Sequence, residues 1–175
     1  MSRKKSRYRP RGVNPQAHLV ALQGCTRLTQ DDALRFALPA REAVAAVCKG
    51  CATQAHWSAL FAALAVAELL VRQRVAQDAD GAIGATQAAL LDILARDCTR
   101  GTRALYPDEV ATLDAFAANY ADLICQVTHS ELFQAEEAAQ IRIAAAAAGN
   151  GDPSVVFAKA PDRFFSSQYP PTDCA

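Results

Sequence analysis

The chain has 175 residues, enough for one domain whose core needs no disulfide or metal staple. Apolar residues make up 51% of it but aromatics only 7%, and the apolar share leans on alanine, which argues against a β-rich fold and for helices that approach closely. The net charge of zero conceals an asymmetry: the first twelve residues carry six cations and no acid, residues 13–148 carry 10 bases against 15 acids, and the remainder carries 2 against 3.

Residues 1–28 lack helical periodicity, contain Pro10, Gly12 and Pro15, and read as an extended basic arm. No apolar stretch follows the cations, so a secretory leader is not expected; the expected location is the cytoplasm, where the six cysteines stay reduced. Thr29-Gln30-Asp31-Asp32 starts a first helix, with acids at its positive end. Pro39 is expected to interrupt it and to open a second piece that stops at Gly50.

Thr53 caps the most apolar segment, in which Trp57, Leu60, Phe61, Leu64, Val71 and Val75 share a face. The run from 57 to 71 is interrupted by Ser58 and Glu68 and falls short of the ~20 residues a bilayer requires, so it reads as a core helix. Glu68 has Arg72 four residues on, the spacing of a helix-face ion pair. Asp78-Ala79-Asp80-Gly81 breaks the chain before a helix over about 83–97, with Leu90, Leu91 and Leu94 inward and a stop at Thr99-Arg100-Gly101. Pro107-Asp108-Glu109 opens the next, where Val110, Leu113, Ala117, Tyr120, Ile124 and Val127 form a narrow seam. Thr128 and Glu131 have the spacing of a capping box, which restarts a last helix to about 148, before Gly149. The expected architecture is all-α: a four- to five-helix antiparallel bundle over 29–149, flanked by the basic arm and by an irregular tail over 150–175 in which prolines mix with Phe157, Phe164, Phe165 and Tyr169.

The arm Ser2-Arg3-Lys4-Lys5-Ser6-Arg7-Tyr8-Arg9-Pro10-Arg11-Gly12-Val13 is similar to the opening of small uncharacterised proteins encoded by tailed bacteriophages and prophages. Lys49-Gly50, Ala52-Thr53, Ala67-Glu68-Leu69-Leu70 and Gln87-Ala88-Ala89-Leu90-Leu91 fall where that group has similar residues, so the resemblance runs over 2–145. It implies a phage or prophage origin and a helical fold, and no particular activity. The group does not carry cysteine at the positions of Cys48 and Cys51, and the tail has no counterpart in it.

Chemistry-bearing patterns are sparse. Cys48-Lys49-Gly50-Cys51 with His56 nearby is half of a zinc site, but no second cysteine pair completes the four soft ligands, and a helix end is the wrong place for a redox dithiol; no metal or cofactor is expected. Gly81-Ala82-Ile83-Gly84 lacks the sheet and basic neighbours of a phosphate-clamping loop and reads as a helix break. His18, His56 and His129 lie in separate segments and are expected to be structural or exposed. An enzyme is therefore not expected.

The arm is the strongest partner signal. Arg3, Lys4, Lys5, Arg7, Arg9 and Arg11 neutralise phosphates or an acidic protein surface, and Tyr8 stacks on a base. Phe157, Phe164, Phe165 and Tyr169 offer a second docking element. Three roles fit: nucleic-acid or acidic-partner binding through the arm, inhibition of a host (for instance defence) protein through the acidic helices and aromatic tail, or a structural place in the virion. The residues leave the oligomeric state open.

Overall fold

Thr29 starts the first helix as its composition suggests. In the computed structural model, which describes residues 24–78 and 80–147, the Thr29 hydroxyl oxygen accepts from the Asp32 N–H at 3.2 Å, and α1 runs over Gln30–Cys48. Pro39 does not divide it. Pro39 is exposed, and so is Arg35, whose carbonyl loses its helical donor and can turn to water. Ala33, Ala37, Ala40, Val44 and Val47 are buried along one continuous face on both sides of the proline, and that burial keeps the helix whole.

The Cys-Lys-Gly-Cys segment is a helix stop. Gly50 sits at φ +71°, its N–H donates to the Val47 carbonyl and the Cys51 N–H donates to the Ala46 carbonyl, both at 3.0 Å. This pair of bonds satisfies the last carbonyls of α1, and it needs a residue tolerant of left-handed geometry where Gly50 stands.

α2 (Gln54–Arg72) is capped by Thr53, whose N–H donates to His56 Nδ1 at 3.0 Å, so the histidine does the work of the usual glutamate. Leu60, Phe61, Leu64, Leu69 and Leu70 are buried together with the residues from 63 to 67, making α2 the bundle's central helix. By length and composition α2 is apolar enough to cross a membrane, but α1, α3 and α5 cover most of its surface. Its end repeats the geometry of α1 with Arg74 at φ +60° in the glycine position.

α3 (Ala82–Arg100) receives its cap from four residues upstream: the two Asp78 carboxylate oxygens accept from the N–H groups of Ala82 and Ile83 at 3.0 and 3.1 Å. α4 (Pro107–Ile124) has Pro107 in its first turn, and Glu109 accepts from the Tyr106 N–H at 2.8 Å. Leu113, Ala117, Tyr120 and Ile124 are buried and Val110 is half-buried, as the seam requires, but Phe116, Ala121 and Leu123 are buried too. The apolar face is broad because α4 packs against both α1 and α3. The Thr128–Glu131 box forms, with the Thr128 N–H donating to the Glu131 carboxylate at 2.8 Å and the Glu131 N–H to the Thr128 hydroxyl oxygen at 3.3 Å, and α5 follows over His129–Ala147.

The all-α helical bundle is thus the fold. Its links gather at two ends. At one, residues 26–28, the α2–α3 link and the α4–α5 link meet: Leu28 N–H donates to the Val127 carbonyl at 3.1 Å, and the Gln126 side chain pairs with both backbone groups of Gln77, at 2.8 and 3.3 Å. At the other, Trp57 at the start of α2 lies under Arg103 of the α3–α4 link, 5.8 Å from the ring centre. α5 meets His129 to Phe36 and Arg142 to Glu68, with Glu136 close enough to act on Tyr120; Phe36, Glu68 and Tyr120 all lie within two turns of the first end. α5 therefore lies across that end. Its position also takes Glu68 from Arg72: Glu68 pairs with Arg142 at 3.7 Å, because Arg142 approaches the half-buried carboxylate while Arg72 faces solvent.

Candidate functional site

The residues expected to bind partners, Arg3, Lys4, Lys5, Arg7, Tyr8, Arg9 and Arg11 of the arm and Phe157, Phe164, Phe165 and Tyr169 of the tail, lie outside the described residues, as does His18. The structure does place the point at which the arm joins the body. Arg27 forms an antiparallel bridge with Thr128, Leu28 is buried and bonded to Val127, and the His129 N–H donates to the Thr26 carbonyl at 3.3 Å. Gly24 lies against Ser130, where an added Cβ would stand 3.5 Å from the serine Cβ. Backbone bonds on both sides of Leu28 fix the root at the α4–α5 corner.

Around that root the body exposes rings. Phe36 is 44% exposed on α1 and meets His129 edge to face, with centroids 6.2 Å apart. Phe133, 68% exposed, stands one turn beyond His129 on α5. Sequence reading missed both phenylalanines, since each sits singly in its helix and only the packing of α5 on the corner brings α1 and α5 together.

The opposite end carries the charged network. Arg96 grips Glu109 with two nitrogens, at 2.7 and 2.6 Å, donates to the Ala104 carbonyl at 3.1 Å and lies 4.4 Å above the Tyr106 ring. Donating these hydrogen bonds to the Glu109 carboxylate raises the Arg96 pKa above its usual range. A groove of about 520 Å³ opens beside this clamp between α3 and α4, lined among others by Asp92, Thr99, Arg100, Asp108 and Thr112. Its best-placed cation is already answered by Glu109, so the clamp joins α3 to α4. Asp97, 1% exposed, pairs with Arg103 at 3.4 Å and thereby holds the α3–α4 link over Trp57.

Burial, and then Asp114 at 3.9 Å, push the Cys48 thiol up; burial, and then Asp122, do the same to Cys125. His56 completes the Thr53 cap of α2, and His129 packs edge to face on Phe36. Among the described residues no three His, Cys, Asp or Glu side chains converge where a metal ion would sit. Set against known protein families, characterised proteins and solved structures, the chain matches none of them.

Proposed function

We propose that the protein is a bacteriophage or prophage accessory protein that acts by binding rather than by catalysis, and that its basic arm holds nucleic acid. The observation that carries this reading is the pairing of six cations within nine residues with a root tied to the body by backbone bonds at Leu28 and His129. A ligand held by such an arm is tethered through the chain to the helical bundle in the host cytoplasm, which suits a role in phage gene expression, replication or packaging. Six phosphate contacts would give log K against log salt a slope near ~−5, a loss of roughly a thousandfold between 50 and 200 mM salt. Binding of labelled oligonucleotides across that range tests it. The reading predicts this slope for the intact chain and its collapse on deletion of residues 2–11; undetectable binding at low salt sinks it.

One feature favours a second reading. α4 carries no Lys or Arg, and its exposed face presents Asp108, Asp114 and Asp122 among Ala111, Ala115 and Ala118. A basic host protein could seat on that surface with the aromatic tail as an additional anchor, giving an inhibitor; stoichiometric capture of one host protein, insensitive to deletion of the arm, would select this reading. Recovery of the chain in purified particles would select a virion component.

A further inference from the structure

α1 carries two seams, and the bundle uses only one of them. Ala33, Ala37, Ala40, Val44 and Val47 are buried where α1 packs against α2 and α4. Asp31, Leu34, Leu38, Arg41 and Ala45 follow one another at spacings of three, four, three and four, and all five are exposed. That spacing sets them in one stripe along the helix, the pattern by which a helix packs lengthwise on another helix. Pro39 lies off the stripe. Leu34 is 39% exposed and Leu38, one turn on, is 52% exposed. A single exposed leucine requires no explanation, but two adjacent ones at the middle of such a stripe do. Asp31 and Arg41, towards its ends, take part in no ion pair among the described residues.

The order of charges along the stripe identifies its occupant. Counted from position 36, Leu34 and Leu38 lie two residues to either side, and Asp31 and Arg41 lie five residues to either side. A two-fold interface presents one patch to itself, so each residue must suit the one at equal distance beyond the centre. This stripe does so: leucine answers leucine, and the acid answers the base. Laid antiparallel on a second copy, Leu34 meets Leu38 of the partner subunit, and Asp31 meets Arg41 of the partner subunit at each end. Arg35 and Glu42, exposed along one flank of the stripe, are also of opposite sign, and the same register brings them toward each other's copies. A parallel pairing would instead set acid on acid and base on base, which costs stability. We propose that α1 pairs antiparallel with α1 of a second copy of this chain, through Leu34 and Leu38, with Asp31–Arg41 ion pairs closing both ends. One helix pair buries no more than about 1,200 Å², the size of weak and reversible interfaces, so a micromolar dimer is expected. The dimer is independent of the nucleic-acid reading above.

The test is sedimentation velocity of the full chain at low salt, from low to high micromolar concentration. The intact protein is expected to pass from monomer to dimer and no further, because a two-fold contact closes on itself. Leu38→Glu is expected to weaken the dimer by about tenfold or more, since the change enters the contact twice. Asp31→Arg and Arg41→Asp should each weaken it by about threefold to tenfold, by setting like charges at both ends, and the double variant should restore it. All three positions are exposed, and a native helical circular dichroism spectrum at monomer concentration checks that each variant is folded. A chain that stays monomeric at every concentration overturns the proposal; if Leu38→Glu then lowers its melting temperature, the stripe is covered from within the same chain. A dimer indifferent to Leu38→Glu lies elsewhere on the molecule, and one that the double variant fails to restore is not antiparallel. Either result overturns the proposal as well.

Discussion

The two ends of the bundle are held by different forces. At the α3–α4 end, stability is concentrated in charge: Arg96 on Glu109, Asp97 with Arg103, and guanidinium groups over Tyr106 and Trp57. At the arm-root end most of the ties are neutral, namely the backbone bonds of residues 26–29 with 127–129 and the amide pairing of Gln126 with Gln77, beside one longer ion pair, Glu68 with Arg142 at 3.7 Å. The difference is instructive because an end whose ions answer one another has little left for a ligand. An end closed mainly by neutral hydrogen bonds leaves Arg27 and the ring surfaces of Phe36 and Phe133 to solvent.

This contrast is broken most severely at the charged end. Glu109 is 6% exposed, and Glu109→Gln keeps the cap bond to Tyr106 but leaves the Arg96 charge without its counter-ion. A loss of about 3 kcal/mol is expected in urea unfolding. At the root end the equivalent cut is Gln126→Ala, which removes two bonds to the exposed Gln77 backbone, where water can replace them; about 1 kcal/mol is expected, insensitive to salt. Arg74 sharpens the comparison in the opposite direction. It occupies a left-handed position at the root end, so Arg74→Gly relieves local strain and is expected to raise stability by about 0.5–1 kcal/mol in the same assay.

The smallest effect separates the two ends by pH. Burial raises the Glu136 pKa, so the folded protein holds that proton more tightly than the unfolded chain does. The resulting stabilisation is complete below the unfolded value, near ~4.3, and is lost as pH rises through the folded value. Glu136→Gln is therefore expected to stabilise the protein at pH 7 by no more than about 0.5 kcal/mol and to flatten the decline above pH 4 in thermal melts. Tyr120, pushed well above its usual range by burial and then by Glu136, stays protonated throughout.

Local signals in the chain were legible where a helix end is built from neighbouring residues. Thr29, Gly50, Pro107 and the Thr128–Glu131 box each act within a few positions of themselves, and each stands where its spacing places it. Pro39 misleads because its cost is local while the burial that outweighs it comes from α2 and α4. Glu68 misleads in the same manner: the i+4 partner is visible in the sequence, and Arg142, 74 positions away, is not. Of the expected binding residues, none lies among those the structure describes, so what was legible of the site is the arm's composition, and what the fold adds is its point of attachment.

Composition and periodicity alone settle that this chain is an alanine-rich helical protein with six of its 18 cations gathered in the first twelve residues, because helix propensity, capping and net charge are properties of short stretches. Tertiary packing decides the rest: that α5 lies across one end, that Arg96 finds Glu109, and that Phe36 and His129 share a corner with the root of the arm. Such contacts join residues far apart in the chain, and their geometry exists only once the helices have packed.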